Sequence, residues 1–484
     1  MRNEATWGAL VALILVAFLL RTPHLDTQSL WRDEVDVIRL ANEPTPQLIR
    51  NLVRAGHNGP LYYLVMGGWL SLVGESEFAL RYLSLCSGVL AVPLAYRAGR
   101  RLVGRRAALM ATALMAISPY LIWYSQDAKM YALVTALTLS AMTCLLEALA
   151  TRGTRWWVGF VAFASLSLYV HMLSALMIPV YLLAFILAQP SLTRQWQWGL
   201  VAFGLLTLPY LPLAIWQLPL VLNSYDTGHA FYPIKQMLSL LFNLYARGIA
   251  MVGSWVVVAG FVFAILAGLF ISAEASRPRP GGRRSRLLLL FWLLFPILLI
   301  YLVSLKTPVF EPRYLIFLTP AFYLLTGLGV IALSRLSWFA AGLALIIVLA
   351  FSLLGVWVQA TAPLKSDFRV AASYVMAHRQ NNAPIMFQMP YVRHTFDYYF
   401  DGDYVALEGP WANNGVSEAQ VEDTMARTLE AYPEVWLVAS ESWLWDSRDL
   451  TQAWLDQHAQ LIESASFALV DVYHYKVQIN TSAN

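Results

Sequence analysis

Charged residues and cysteines are both scarce in this sequence. Only 13% of its 484 residues are Asp, Glu, Lys or Arg, which excludes an ordinary soluble globular protein, where about a quarter of residues are charged. Cys86 and Cys144, the two cysteines, both lie in apolar runs, so we expect buried thiols and no structural disulfide. No spacing of ligands approaches a dedicated zinc motif. We also expect no nucleic-acid partner.

The residues that are abundant are apolar. Hydrophobic residues make up 58% of the chain, and runs long enough to cross a bilayer recur along it. The sequence therefore predicts a mainly α-helical, polytopic membrane protein. The run 7–20 is interpreted as a retained span, because no small-residue cleavage site follows it. About eleven transmembrane helices are predicted, at 7–20, 77–96, 107–123, 131–150, 156–171, 172–188, 197–216, 253–272, 287–304, 314–333 and 338–358.

The arginines predict which side each loop faces, since short cytoplasmic loops carry an excess of Lys and Arg. Three loops qualify: 97–106, 151–155 and 277–286. We expect the apolar stretches 60–73 and 237–249 to be interfacial helices on the outer face, because a crossing by the first would turn the loop 97–106 outward. With eleven crossings, the C-terminal end lies outside.

The composition changes near residue 361, and this change divides the chain into two predicted domains. Residues 1–360 form the transmembrane module, with a first outer loop at 22–76, and residues 361–484 form a small soluble extracytoplasmic α/β domain. Within it the patterns predict helices at 366–380 and 452–464, and strands at 384–389, 435–439 and 468–477.

Under this topology, the polar side chains of the transmembrane module gather on the outer face. Charges near the bilayer are costly unless they are paired or hydrated, so such a gathering favours a functional pocket. The alternative is that loops are polar everywhere. The residues concerned are Asp33, Glu34, Asp36, His57, Asp127, Lys129, His171, His229, Lys306, Glu311 and Arg313.

Several stretches together resemble a known group of enzymes. They are the pair Asp33 and Glu34, the segments 57–63 and 118–131, and the shorter segments 169–171 and 310–314. Residues 7–358 resemble the bacterial relatives of protein O-mannosyltransferases and of lipid A aminoarabinose transferase. The resemblance implies a C-type (GT-C) fold and an enzyme of the cell envelope. Such enzymes transfer a sugar from a polyprenyl phosphate.

The resemblance implies roles for three acidic residues. Asp33 occupies the position of the aspartate at the reaction centre, as base or as the carboxylate that orients the acceptor, with inversion at the anomeric carbon. Glu34 is its expected support, and Asp127 is expected to line the acceptor or metal site. The structural alternatives are that Asp33 caps a short helix and that Asp127 forms a local ion pair.

Cations are needed beside the departing phosphate. Arg313 is the preferred phosphate ligand, because its guanidinium can bind two phosphate oxygens at once. Lys306, Lys129 and His57 are further candidates, although lysines also anchor span ends and a lone histidine is often simply hydrogen-bonded. The remaining predicted pocket residues are His171, Tyr62, Tyr124 and Tyr314.

The chain departs from its relatives at Asn58, which stands where aminoarabinose transferases have a phosphate-binding lysine. That role is not carried over, and a neutral hexose or pentose is favoured over aminoarabinose. Asp33 and Asp127 could hold a divalent cation such as Mg²⁺ or Mn²⁺, but the O-mannosyltransferase branch need not use a metal.

The expected partners are a polyprenyl-phosphate-linked sugar donor, membrane lipids and an acceptor that is a protein, a lipid or a glycan. The expected location is the bacterial plasma (inner) membrane, with the active site and the C-terminal domain outside the cytoplasm. A transporter or flippase and a non-catalytic membrane assembly subunit are the alternatives. A transporter is disfavoured, because internal repeats and polar groups near the bilayer midplane are not evident.

Overall fold

The computed structural model describes residues 2–54, 57–151, 153–188, 192–222, 229–271, 281–379, 383–410, 413 and 415–478. The chain forms two compact units. The first comprises Met1–Leu25 and Leu40–Thr361, and the second comprises Asp26–Arg39 and Ala362–Asn484. The segment Asp26–Arg39 precedes most of the first unit in the chain, yet it belongs with the C-terminal residues.

The first unit is a bundle of helices. Its α-helices, with the helix α2 that begins in the second unit, are α1 (Arg2–Arg21), α2 (Arg32–Ala41), α3 (Thr45–Leu52), α4 (Leu61–Val73), α5 (Glu77–Leu102), α6 (Arg105–Ala116), α7 (Pro119–Ser125), α8 (Tyr131–Thr151), α9 (Thr154–Val170), α10 (Ile178–Leu187), α11 (Leu192–Leu222), α12 (Ile234–Arg247), α13 (Trp255–Phe270), α14 (Arg283–Ser304), α15 (Thr319–Leu336) and α16 (Trp338–Thr361). Two 3₁₀ helices, Met172–Met177 and Pro312–Leu318, lead into α10 and α15.

Seven helices in the described part of the chain are long and apolar enough to cross a membrane, or eight if the bent pair α6 and α7 counts as one span. Shorter apolar helices lie at Leu61–Val73, Met172–Leu187 and Trp255–Phe270. A helix or a bent pair lies at each of the eleven predicted positions, but the number eleven is not confirmed. The interfacial segments predicted at 60–73 and 237–249 correspond to α4 and α12.

The segment containing α15 forms the centre of the bundle. In this segment 89% of the residues are buried, and in α8 78% are buried. In α1 and α16 only 17% of the residues are buried, and their apolar side chains face outward. Glycine allows the closest contact: a Cβ at Gly329 would lie 1.7 Å from the backbone oxygen of Ala264 on α13. Such small residues let helix backbones approach in membrane proteins, where no hydrophobic driving force between helices is available.

The second unit contains the helices α17 (Phe368–His378), α18 (Arg393–Asp397), α19 (Glu418–Leu429), α20 (Ser442–Trp445) and α21 (Leu450–His458), and the strands β1 (Ile385–Gln388), β2 (Ala406–Glu408), β3 (Glu434–Ala439), β4 (Ala459–Phe467) and β5 (Val470–Val477). The strand order is β2-β1-β3-β5-β4; β1 pairs in parallel with β2 and β3, and β5 pairs antiparallel with β3 and β4. Helix α17 packs on one face, where Phe368, Val375 and Trp436 are fully buried or nearly so.

One predicted element of this unit is wrong in its second half. The helix predicted at 452–464 ends at His458, and Ala459–Phe467 forms the edge strand β4. Only one face of β4 is covered, so its burial alternates weakly and its sequence gives little signal of a strand. Its partner β5 has the predicted alternation, and β5 gives β4 its hydrogen bonds.

Candidate active site

The acidic segment lies in the first turn of α2, in the second unit. Asp33 is inside this turn and not before it, so the alternative that it caps a helix starting at Glu34 is wrong. The Arg32 Nε lies 3.4 Å from Asp33 and its Nη1 lies 2.9 Å from Glu441. Burial lowers the pKa of Arg32, but the charges of Asp33 and Glu441 outweigh it and the net shift is upward. Arg32 thus stays charged beside an Asp33 side chain that is 16% exposed.

Glu34 has a different environment from Asp33. Its side chain is fully buried, and Oε1 lies 3.0 Å from the Nζ of Lys365, which is itself almost completely buried. The other carboxylate oxygen accepts a long hydrogen bond from the backbone N–H of Trp31, at 3.4 Å. Asp36, one turn further along, forms an exposed ion pair with Arg39. Glu34 therefore has a structural ion-pair partner in Lys365, whether or not it also takes part in catalysis.

Asp127 lies in the first unit, in the loop between α7 and α8. This loop follows the 57° bend between α6 and α7, where Ser118 accepts a hydrogen bond from the N–H of Leu121 and so caps α7. Gln126 donates to the backbone oxygens of Arg21 and Pro23, at 3.0 and 2.9 Å. These bonds fix the loop against the end of α1. Asp127, which follows Gln126 in this loop, is only 1% exposed.

Lys129 takes part in the same loop through its backbone. Its N–H donates to the Asp127 backbone oxygen at 2.7 Å, and its own backbone oxygen accepts from the hydroxyl of Ser84 on α5, at 3.2 Å. The Lys129 side chain is half-buried. Whether its ammonium group contacts phosphate stays a prediction.

An aromatic cluster follows Asp127. The Tyr131 ring lies 5.2 Å from Tyr124, 6.0 Å from His171 and 6.5 Å from Tyr314, measured between centroids. His171 also lies 5.4 Å from Tyr314. Tyr124, His171 and Tyr314 were predicted pocket residues, and these distances show that they lie together. Tyr131 at their centre belongs to the predicted motif 118–131.

His171 is the most unusual member of this cluster. The residue is 1% exposed, and neither ring nitrogen has a hydrogen-bond partner among the described residues. Buried polar groups normally have such a partner. Because His171 follows the last residue of α9 and precedes a 3₁₀ helix, its position is fixed by the chain on both sides.

Arg313 lies beside the aromatic cluster, in the 3₁₀ helix Pro312–Leu318. Its guanidinium carbon is 5.9 Å from the centroid of the Tyr131 ring, and its Nε is 3.8 Å from Glu311, which is too far for a direct hydrogen bond. His229 lies 5.8 Å from the Tyr314 ring on the same side. Burial lowers the pKa of His229, Glu311 opposes this shift and Arg313 adds to it. Burial is thus the main cause of the lowered pKa of His229.

The segment around His57 packs against the end of α9. A Cβ at Gly59 would lie 2.2 Å from the backbone oxygen of Tyr169, so only glycine fits this contact. The side-chain oxygen of Asn58 accepts a hydrogen bond from the N–H of Met172, at 3.4 Å. His57 itself is exposed. The motif containing His57 and the segment containing His171, which are far apart in sequence, are neighbours in the bundle.

Two predicted residues lie outside the aromatic contacts given above. Tyr62 is buried on α4, with its ring 5.7 Å from that of Tyr63. Lys306 is exposed just after α14. Their assignment to the pocket and to the donor phosphate stays a prediction.

Sequence reasoning missed Arg21, which ends α1 and is fully buried. Its guanidinium donates to the Ser125 hydroxyl at 3.1 Å and to the backbone oxygens of Ala17 and Ala116, at 3.0 and 2.8 Å. It thereby joins α1 to both sides of the break between α6 and α7, from which the Asp127 loop continues. An arginine at the end of a span usually indicates a membrane-surface anchor, so the sequence gives no sign of this role.

No group of three His, Cys, Asp or Glu side chains that could hold a metal occurs in the part of the chain that the structure describes. Mg²⁺ often binds through one or two carboxylates together with substrate phosphates, so a protein-only cluster is not required. The prediction of a divalent cation at Asp33 and Asp127 stays open.

Comparison with known proteins agrees with this architecture. The family model for "Dolichyl-phosphate-mannose-protein mannosyltransferase" matches residues 57–216, which include the His57 motif, the Asp127 loop and His171. No curated protein matches the sequence. The solved structure of ArnT from Cupriavidus metallidurans in the apo state is similar over 97% of this chain and 98% of that one, with a TM-score of 0.60 and 15% identity. The chain has the GT-C glycosyltransferase fold.

Two ligand-bound structures share this GT-C fold. ArnT from Cupriavidus metallidurans bound to undecaprenyl phosphate is 16% identical, with a TM-score of 0.60 and coverage of 96% of this chain and 98% of that one. The archaeal oligosaccharyltransferase AglB from Archaeoglobus fulgidus, in complex with an inhibitory peptide and a dolichol-phosphate, is 13% identical. Its TM-score is 0.57, and the match covers all of this chain and 75% of that one. The GT-C bundle is thus shared by proteins whose structures contain polyprenyl phosphates.

Proposed function

We propose that this GT-C protein is an inverting membrane glycosyltransferase that moves a sugar from a polyprenyl-phosphate donor to an acceptor hydroxyl. The observation that carries the proposal is the likeness to ArnT, which spans nearly all of both chains and includes a structure with undecaprenyl phosphate bound. The family match at residues 57–216 covers the part that contains Asp127, Tyr131 and His171. A transporter is not favoured, because the family match and the solved structures above all point to glycosyltransferases.

In this reaction the acceptor oxygen attacks the anomeric carbon of the sugar. The bond from that carbon to the phosphate oxygen breaks, the phosphate leaves with the electron pair, and the acceptor proton passes to a carboxylate. We assign the carboxylate to Asp33, in keeping with its family position and its partly exposed side chain beside Arg32. Arg32, whose Nε lies 3.4 Å from Asp33, can orient the carboxylate toward the acceptor.

Arg313 is assigned to the departing phosphate. Its side chain is 19% exposed, and two in-plane N–H groups along one edge of the guanidinium can donate to two phosphate oxygens. Asp127 is assigned to the acceptor side, and Tyr124, Tyr131 and Tyr314 to the walls around the sugar. Aromatic rings suit the apolar faces of a neutral hexose or pentose.

The experiment is a transfer assay with purified protein in nanodiscs, radiolabelled polyprenyl-phosphate sugars and an extract of envelope lipids, glycans and proteins as acceptors. Neutral hexose and pentose donors are compared with aminoarabinose, each with Mg²⁺ and with a chelator. We expect transfer from a neutral donor. The absence of transfer from every donor, with undecaprenyl phosphate failing to bind, would contradict the proposal.

Asp33→Asn tests the assignment of the base. It should lower kcat by roughly 10²- to 10⁴-fold, the usual contribution of general base catalysis, with little change in donor binding. Asp36→Asn is the matched control, because Asp36 lies on the same helix in an exposed ion pair with Arg39. Equal kcat values for both variants would remove Asp33 from the chemistry.

Arg313→Gln tests the phosphate ligand. A charge-assisted hydrogen bond contributes about 1.5–3 kcal/mol, so the variant should bind undecaprenyl phosphate roughly 10- to 100-fold more weakly. Arg313→Lys should recover only part of this loss, because an ammonium group cannot bind two oxygens in one plane. Arg335→Gln, at the other end of the following helix α15, should bind normally. If all three variants bind equally well, Arg313 is not a phosphate ligand.

A further inference from the structure

A groove with arginines along it lies at the end of the bundle away from Asp127. Helix α8 starts at Tyr131, next to the Asp127 loop, and Glu147 lies about 24 Å further along α8 at 1.5 Å per residue. The arginines that contact Glu147 come from the last two turns of α5. The groove is lined by Trp7, Pro93, Arg97, Arg100, Arg101 and Arg105, among others.

Glu147 supplies one negative charge to this cluster. Its carboxylate is almost fully buried and lies 3.5 Å from Arg97 Nε, 3.2 Å from Arg100 Nη2 and 2.7 Å from Arg101 Nη2. Arg105 adds a fourth positive charge and donates a hydrogen bond to the Thr6 hydroxyl. The residues that line the groove include four arginines and no acid, and Glu147 contacts three of these arginines, so an anion in the groove would reduce their mutual repulsion.

The groove is also amphipathic. The side chains of Arg97, Arg100 and Arg101 are each about two-fifths exposed, at 43, 41 and 39%. Trp7, on the α1 side, is 65% exposed, and the half-buried Pro93 adds further apolar surface. Inorganic phosphate would gain nothing from these apolar walls. A molecule with an anionic head and a hydrocarbon chain would use both.

We propose that this groove binds an anionic phospholipid, with the phosphate against Arg97, Arg100 and Arg105 and an acyl chain along the exposed Trp7. Basic pockets between transmembrane helices bind lipid headgroups in this way, each basic side chain strengthening binding about fivefold. Glu147 is a positioning residue here, because it gathers the arginines from α5 against α8. The proposal is independent of the transfer reaction.

Native mass spectrometry of the full-length protein tests it. The protein is released from nanodiscs of phosphatidylcholine with a small fraction of phosphatidylglycerol, and retained lipid is counted. We expect wild type to retain phosphatidylglycerol preferentially, and the double variant Arg100→Gln, Arg105→Gln to retain it roughly 10- to 30-fold more weakly. Arg106→Gln is the matched control: Arg106 follows Arg105 in the first turn of α6 and is exposed but does not line the groove, so its variant should behave like wild type.

Three outcomes would overturn the proposal. They are equal retention of the two lipids by wild type, an equal loss in Arg106→Gln, and full competition by millimolar inorganic phosphate, which would indicate a simple anion site. If the double variant does not fold, Trp7→Ala replaces it, because this change removes an exposed apolar wall and leaves the charges intact. Unchanged retention by Trp7→Ala would likewise contradict a site that holds an acyl chain.

Discussion

The ion pair between Glu34 and Lys365 should be the most sensitive polar contact of the second unit. Its charged atoms are 3.0 Å apart, and the two side chains are 0 and 6% exposed. When one partner of a buried pair is removed, the other is left as an uncompensated charge away from water, which costs about 3–5 kcal/mol. Lys365→Met should therefore lower the unfolding midpoint by on the order of 10 °C.

The same reasoning predicts that the double variant recovers. Replacing a buried ion pair with apolar residues of similar volume is often neutral or stabilising, so Glu34→Met combined with Lys365→Met should unfold close to wild type. Asp36→Asn, which breaks the exposed pair with Arg39, should change stability by about 0.5 kcal/mol or less. The assay is thermal unfolding of the full-length protein in one detergent, analysed as a double-mutant cycle.

A midpoint that is unchanged in Lys365→Met would refute the argument from desolvation. The cycle also separates two roles of Glu34. If Glu34 only supports the fold, the double variant should keep both its stability and its glycosyl transfer. If the carboxylate also acts beside Asp33, the double variant should be stable and inactive.

Three further predictions follow from single positions. Gly59→Ala should reduce transfer strongly, because its Cβ would meet the Tyr169 oxygen at 2.2 Å, whereas Gly68→Ala on α4, with nothing within 4 Å, should be tolerated; transfer and unfolding midpoints of both variants check this. Arg21→Met should destabilise the bundle by roughly 3 kcal/mol or more, because a buried arginine that donates to three helices is lost, and an unchanged midpoint would contradict this. Burial lowers the pKa of His229, so as the pH falls the unfolded chain binds the proton before the folded chain does. The stability that neutral His229 allows above about pH 6.5 should therefore be lost as the pH falls through the lowered pKa. Unfolding of wild type and of His229→Gln across pH 4–8 should show a weaker pH dependence in the variant.

The sequence predicted the class of fold because the signals for it are local. A long apolar run predicts a span, and a helix or a bent pair lies at each predicted position, although the bend between α6 and α7 within the span predicted at 107–123 was not foreseen. The α/β unit was equally visible in its alternating strand β5. The strand β4 could not be recognised from its sequence, because only one of its faces is covered and its backbone hydrogen bonds are made with its partner β5.

Contacts between distant segments could not be predicted in the same way. Asp33 and Glu34 are neighbours in one acidic motif, but α2 turns Glu34 inward to a lysine more than 300 residues later, while Asp33 stays partly exposed. The helical periodicity of 3.6 residues predicts that the two side chains point in different directions, but it does not predict which residues they contact. Glu147 shows the same limit, since a single acid in an apolar span indicates a partner without identifying the arginines.

The buried polar groups of the bundle separate architecture from function. Arg21 and Glu147 are costly in a membrane, yet each has hydrogen bonds or ion pairs inside the described structure that explain why it is there. Among the described residues, neither ring nitrogen of His171 has a hydrogen-bond partner, although the ring lies beside Tyr131 and Tyr314. Because buried polar groups normally have a hydrogen-bond partner, we predict that a bound donor or acceptor hydrogen-bonds this imidazole. His171→Phe should therefore preserve the fold and weaken donor or acceptor binding, whereas a purely structural histidine would show the reverse.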